Sequence, residues 1–303
     1  ALVVGQAAFA PAAFAAVGDA CAGGSLQVMA HTDDDLLFTS PDMLTDITNK
    51  KCVRSLFLTA GDAGYEDDYW PEREKGIEAA YAYMAGVSNA WTTKTLSLAG
   101  KSVRMRTLNA APNVSVVFMR LPDGTPLGGG TARRNYQSIK NLLDGTISSI
   151  SAVDGSASYT SSTLRNAVLD AMRANGSTTV RTHDYVSNYG QDGDHYDHHA
   201  AGFVARDASG SYSVGHQLRS YMGYDTSYEP ANVSGTNLTR KRTAFLTHYA
   251  AYDDEVSPAE YESRGWSSRQ YVVASSGPSV AANAGPDQSV AAGTLVTRDG
   301  SGT

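Results

Sequence analysis

Positive charge and long apolar runs are both scarce in this 303-residue sequence. Lysine and arginine number 24 against 31 acidic residues, a formal net charge of −7, and no basic patch is evident. That balance argues against a nucleic-acid partner. No uninterrupted apolar stretch is long enough to cross a bilayer, so a transmembrane helix is not expected. Cysteine occurs only twice, at Cys21 and Cys52. No internal repeat is visible, and Asp192-Gly193-Asp194 lacks the regular ligand spacing of an EF-hand loop. Hydrophobic residues, in contrast, make up 42% of the chain and charged residues 18%, so a substantial core can form. The length suits one large domain or two smaller ones.

The most informative stretch runs from Leu26 to Asp35. Leu26–Ala30 is a short apolar run, which reads as a buried strand. It ends abruptly in His31-Thr32-Asp33-Asp34-Asp35, where the chain leaves the core. Ligands of open α/β sheets bind just beyond the carboxyl ends of the strands, so His31, Asp33 and Asp34 would stand where chemistry is done. Adjacent carboxylates repel one another, and a bound cation is the simplest offset. The alternative is a solvated acidic turn. A second cluster, Asp194-His195-Tyr196-Asp197-His198-His199, holds three of the seven histidines and precedes an apolar helical segment. Imidazole plus carboxylate is the ligand set of catalytic zinc, with three protein ligands and one open position. His31 and Asp34 from one loop, with His198 from another, would make such a set.

These residues resemble a known family. His31-Thr32-Asp33-Asp34-Asp35 looks like the His-Pro-Asp-Asp-Glu/Asp motif of the LmbE-like, or PIG-L, zinc-dependent de-N-acetylases. His195-Tyr196-Asp197-His198 resembles their His-Pro-Asp-His motif, with Thr32 and Tyr196 where the family usually has proline. Between the two, Leu58–Gly64 resembles the second strand and its Gly-rich loop, and Arg73-Glu74 matches an Arg-Glu pair. The likeness spans roughly Ser25 to Glu255 and is nearest to secreted members acting on N-acyl sugars of glycopeptides. It implies an α/β fold, a Rossmann-like three-layer sandwich with a mostly parallel sheet. It implies one Zn²⁺ per chain on His31, Asp34 and His198, with another divalent transition metal the alternative. Asp33 would be the general base, and His195, oriented by Asp197, would stabilise the oxyanion. Arg73 and Asp123 would contact substrate. The activity implied is removal of an N-acyl group, normally acetyl, from an amino sugar of a glycan or glycoconjugate. Two other classes stay open: a non-haem Fe(II) oxygenase of jelly-roll fold, and a non-catalytic carbohydrate-binding or adhesive secreted module.

Other segments read as follows. Ser40 would cap a helix with Pro41 in its first turn. Val53–Thr59 is a second strand, followed by a tight loop at Gly61 and Gly64 carrying Asp62. Pro71–Ala85 is a helix. Leu96–Leu98, Val103–Leu108 and Val114–Met119 are strands, and Asp123 sits in the turn after Leu121. Tyr136–Leu143 is a short helix, Ser148–Ser162 a surface excursion, and Thr163–Ala174 an amphipathic helix stopped by Asn175-Gly176. Thr178–Thr182 is a strand leading to His183, a candidate neighbour of the metal ligands. Leu218–Tyr224 is a strand, 224–235 a loop able to cover the site, Asn237–Tyr252 a helix, and Tyr261–Val273 a return to the sheet.

The ends differ in character. Residues 1–24 begin with an uncharged Ala-, Val- and Phe-rich stretch, read as a signal-peptide remnant or an apolar arm. Residues 25–274 form the LmbE-like domain. Residues 275–303 resemble a linker and the opening of a polycystic-kidney-disease-type Ig-like domain, too short to close a sandwich. Cys21 and Cys52 each precede a strand. If those strands are parallel neighbours, both cysteines share one edge of the sheet, within disulfide range; two separate thiols are the alternative, usual inside cells. With the secretory signal, the expectation is a Cys21–Cys52 bridge in an extracellular protein. Thiol titration of the unfolded, unreduced protein should then find no free thiol, and two free thiols in protein made under oxidising conditions would refute the bridge.

Overall fold

Ser25–Met29, the run that opens the first motif, forms the central strand β1, and every residue of it is buried. The computed structural model describes residues 23–277. The apolar arm, Cys21 and all but the first residues of the Ig-like tail lie outside these described residues. In chain order the other strands are β2 (Val53–Thr59), β3 (Trp91–Leu98), β4 (Lys101–Leu108), β5 (Val114–Leu121), β6 (Ile150–Ser151), β7 (Ser158–Tyr159), β8 (Thr179–His183), β9 (Gln217–Tyr221) and β10 (Val272–Ser276). The helices are α1 (Asp34–Phe38), α2 (Asp42–Thr48), α3 (Tyr69–Ala85), α4 (Ile139–Leu143), α5 (Ser161–Asn175), α6 (Tyr196–Ser209), α7 (Gly235–Arg242) and α8 (Pro258–Arg264).

Eight strands make one sheet in the order β10-β9-β8-β1-β2-β5-β4-β3. The pairs β9–β8, β8–β1, β1–β2 and β2–β5 are parallel, whereas β10 and the β3–β4 hairpin add antiparallel edges. A strand with parallel neighbours on both sides needs crossovers, and these place helices on both faces. Alternate residues of β1 serve the two layers. Leu26 and Val28 join the core under α4, α5 and α6, while Met29 joins the core under α1, α2 and α3. This is the expected three-layer α/β sandwich, and the parallel sheet excludes a jelly roll. The chain leaves β1 towards β2 on one side and returns to its other side as β8, so a topological switch lies at the carboxyl end of β1.

Several local expectations are corrected. Ser40 does not cap α2: Pro41 occupies the cap position, and Ser40 Oγ donates to the Asp35 carbonyl instead. The helix read as Asn237–Tyr252 changes form within its length, from α7 to a π-helical turn at Thr243–Tyr249 and a 3-10 turn at Ala250–Tyr252. The return read as Tyr261–Val273 does reach the sheet, as β10 from Val272, but Tyr261 itself lies in α8. The signal was present, since Ser257 caps that helix through the Glu260 N–H and Pro258 fills its first turn. Strand β9 stops at Tyr221, and the next residues turn over the site. The 148–162 excursion contains the β6–β7 pair and buries Ile150 and Tyr159.

Helix α6 leans directly on the end of β8. A Cβ at Gly202 would lie 2.7 Å from the Asp184 carbonyl and 2.9 Å from that of His183. Gly202→Ala is therefore expected to destabilise the fold by roughly 1–3 kcal/mol through overpacking. Urea unfolding measures this, and an unchanged midpoint would show that α6 has slack against β8.

Candidate metal and catalytic site

The carboxyl ends of β1, β2, β5 and β8 deliver His31–Asp34, Asp62, Asp123 and His183 to one place, and the start of α6 adds His195, Asp197 and His198. All of these side chains are buried. The solvated-turn reading of the three aspartates is thereby excluded.

After β1 the chain curls at once into α1. That curl brings the Asp34 carboxylate back to the His31 N–H, 2.6 Å from Oδ2. Asp34 Oδ1 lies 3.1 Å from His198 Nε2, and His31 Nδ1 lies 3.3 Å from Asp34 Oδ2. His31, Asp34 and His198 offer ligand atoms within 4.8 Å of one another. Asp34 Oδ1, His198 Nε2 and His31 Nε2 are fully buried and have no hydrogen-bond partner. Buried polar atoms left in this way are costly. A tetrahedral zinc ion separates its ligand atoms by about 3.4 Å, so these residues fit such an ion.

Neighbouring groups fix the orientation of these side chains. Asp194 Oδ1 sits 2.8 Å from His198 Nδ1, which holds the proton on Nδ1 and turns the Nε2 lone pair inward. The Tyr224 N–H donates to the same Asp194 oxygen. His183 stacks on His198 with ring centroids 4.1 Å apart, and its Nε2 lies 3.0 Å from Asp34 Oδ2. Burial alone would lower the His198 pKa, but Asp194 and Asp34 push it up to about 10. His31 likewise overcomes burial, because Asp34 and Asp123 raise it well above the ordinary value. His183, buried beside charged His198, falls to about 4. The pocket thus draws positive charge onto His31 and His198.

Asp33 projects away from that trio, as its position between Thr32 and Asp34 suggested. Arg73 Nη2 donates to Asp33 Oδ1 at 2.9 Å, and Arg73 Nη1 donates to the Gly61 carbonyl. The first-turn arginine is therefore held by buried acceptors. Glu74 does not pair with it; both Glu74 oxygens accept from Arg120. Burial lifts the Asp33 carboxyl above the usual range, with Arg73 opposing and Asp34 reinforcing.

His195 is the N-cap of α6, and its Nδ1 accepts from the Asp197 N–H at 3.1 Å. The Asp197 backbone, not its carboxylate, orients His195 and leaves the ring proton on Nε2. The Asp197 carboxylate accepts from the Gly124 N–H and lies 3.5 Å from His31 Nε2. Asp123 Oδ2 lies 3.4 Å from His31 Nε2, and Asp123 Oδ1 lies 3.9 Å from His195 Nε2. Asp62 faces away from this group and ties loops together, accepting from the Asp123 N–H and from Arg134 Nε. The sequence places Asp194 in the second cluster and Tyr224 in a loop able to cover the site, but assigns neither its contact with His198. An acidic residue four positions before a helical histidine is the available signal for Asp194; Tyr224 follows β9 at the same carboxyl edge of the sheet, where the covering loop begins.

The fold and site define an α/β protein with a buried histidine–aspartate centre at the carboxyl edge of a parallel sheet. The model of the family described as PIG-L, GlcNAc-PI de-N-acetylase, matches residues 26–209, and the chain belongs to this family. It is a deacetylase family of amide hydrolases, acting on acyl amino sugars. No curated protein matches the chain. Among solved structures, a deacetylase of teicoplanin biosynthesis is 15% identical with a TM-score of 0.48, covering 77% of this chain and 84% of its own. The N,N'-diacetylchitobiose deacetylase of Pyrococcus horikoshii is 14% identical with a TM-score of 0.40, covering 79% and 73%. The 4-carboxy-2-hydroxymuconate hydratase GalB of Pseudomonas putida is 13% identical with a TM-score of 0.41, covering 84% and 94%.

The third aspartate, Asp35, points into the opposite core, where its Oδ2 accepts from Ser55 and Tyr81. Burial raises its pKa to about 7; the Tyr81 and Ser55 hydroxyls oppose this and Asp34 and Asp33 add to it. Unfolded, it would titrate near ~4. Between those values the folded form keeps a proton that the unfolded chain has lost, so this group reduces stability as pH rises, by up to about 1.4 kcal/mol per unit. Asp35→Asn is expected to remove that part of the slope. Urea unfolding of metal-free protein at about pH 5 and about pH 7 checks it, and an unchanged slope would mean that Asp35 is already ionised.

Proposed function

We propose that this protein is a secreted, zinc-dependent hydrolase that removes an N-acyl group, normally acetyl, from an amino sugar of a glycan or glycoconjugate. The observation that carries the reading is the buried, partnerless pair Asp34 Oδ1 and His198 Nε2, with His31 inside the same ligand-sized group, within a chain of the PIG-L family. Secretion rests on the apolar stretch Ala1–Ala16 alone.

His31, Asp34 and His198 would hold the ion. When bound, Zn²⁺ lowers the pKa of a water towards ~7 and polarises the acyl carbonyl. Asp33, beside the ligands but not among them, takes the proton of the attacking water and passes it to the leaving amine. Its raised pKa suits both halves of that task. His195, neutral and protonated on Nε2, donates to the acyl oxygen as negative charge develops there. Asp123 stands between His31 and His195, where it can accept from a sugar hydroxyl or amide N–H. Arg73 reaches substrate through Asp33 and with whatever donors Asp33, Tyr249 and Gly61 leave free.

The metal-loaded protein should release acetate and a free amine from N-acetylglucosamine oligomers or N-acyl glycopeptides. Binding without release would favour a carbohydrate-binding module. Asp34→Ala and His198→Ala should lose the metal, and Asp33→Asn should keep it while turnover falls roughly 10²- to 10⁴-fold. Elemental analysis and turnover on the same preparations decide this. An Asp33→Asn enzyme that is fully active and still metal-loaded would place the base elsewhere.

A further inference from the structure

The family match ends at residue 209, yet the group that holds Asp33 is completed from beyond it. Arg73 Nε lies 3.0 Å from Asp253 Oδ2 and donates to Tyr249 OH at 2.7 Å. The Tyr249 hydroxyl donates to Asp253 Oδ2 at 2.9 Å, and the Tyr69 hydroxyl donates to Asp253 Oδ1 at 2.8 Å. Asp253 is 1% exposed and Tyr249 is fully buried. The approach is built into the packing as well. A Cβ at Gly76 of α3 would lie 2.8 Å from the Tyr249 carbonyl, so the π-helical turn ending at Tyr249 is seated where only glycine leaves room.

A guanidinium is a rigid planar fork, so fixing its Nε edge fixes the direction of Nη2. Arg73 stands between two buried carboxylates, and each takes a different edge. With one of them gone, the fork would be free to close on the other through two parallel hydrogen bonds, its preferred geometry with a carboxylate. Among the described residues, nothing hydrogen-bonds Asp33 Oδ2. That oxygen is the one left to take a proton. Resting on the deacetylase reading, we propose that Asp253, acting with Tyr249, is a positioning residue for the reaction: it keeps Arg73 on a single oxygen of Asp33 and leaves the other open towards the attacking water.

The test compares Asp253→Asn and Tyr249→Phe with the parent enzyme, all metal-loaded, on a short N-acetylglucosamine oligomer. The expected result is a kcat lowered about 10- to 100-fold, a part of what a lost base costs, with KM and metal content unchanged. In an Asp33→Asn background, Asp253→Asn should cost nothing further, because both act through the same carboxylate. The Arg73 Nε–H resonance of ¹⁵N-arginine-labelled protein, assigned by its loss in Arg73→Lys, should shift in Asp253→Asn. An unchanged kcat overturns the proposal. So does a parallel loss of metal, or a further loss in the Asp33→Asn background, either of which marks a general structural role. If the parent enzyme is inert on every N-acyl sugar, the deacetylase reading fails instead. The arginine resonance then decides the clamp alone, and a signal that Asp253→Asn leaves in place refutes it.

Discussion

Buried negative charge is the constraint on which the rest of this structure depends. Asp33, Asp34, Asp123, Asp194 and Asp197 are all at most 5% exposed and crowd the end of one strand. Isolated carboxylates in such a place would simply take up protons. Here each is answered individually, Asp123 by His31 and His195. Asp34 faces His31, His183 and His198; Asp194 faces His198 and the Tyr224 N–H; Asp197 takes the Gly124 N–H; Asp33 takes Arg73. Asp34 Oδ1 and His198 Nε2 are left facing each other at 3.1 Å without a hydrogen bond, an arrangement that a divalent cation would complete.

Topology explains how so many charges are brought together. Five parallel strands end at the same edge of the sheet, and four of them hand polar residues to the site as they leave the core, β1 the most. The start of α6 closes the ring, and its distance from β8 is set by backbone contact at Gly202 rather than by side chains. A short contact of that kind places His198 more firmly than an interdigitated apolar interface would, since side chains can repack and carbonyl oxygens cannot.

The segment after residue 209 is more than an appendage to the family fold. Tyr224 and Trp266 pack beside Phe38 and His198 on the wall of the site, with Trp266 donating to the Tyr224 carbonyl. Buried Lys241 holds the turn that carries Trp266 through the carbonyls of Trp266 and Arg269. Tyr249 and Asp253 close the other flank on Arg73. The buried histidines and aspartates therefore sit in a pocket whose walls come in part from the segment after residue 209.

The sequence by itself determined the strands and the identity of the charged residues. Leu26–Ala30 and Val53–Thr59 are apolar runs whose abrupt ends locate the edge of the core, and the two His–Asp clusters announce metal-ligating chemistry through residue type alone. The helix at Pro258 is equally legible in Ser257 and Glu260, although the reading from Tyr261 saw only the return to the sheet that β10 makes. What tertiary structure decided is which carboxylate meets which base. Asp62 and Asp123 both follow strands in Gly-containing loops, yet one ties loops together while the other faces the histidines. Asp197 orients His195 with its N–H instead of its carboxylate, and Arg73 turns to Asp33 and Asp253 instead of its neighbour Glu74. Local patterns report periodicity and composition over a few residues. The partner of a buried charge is chosen by contacts between residues as much as 180 positions apart, such as Arg73 and Asp253, and those exist only once the sheet has brought the strand ends together.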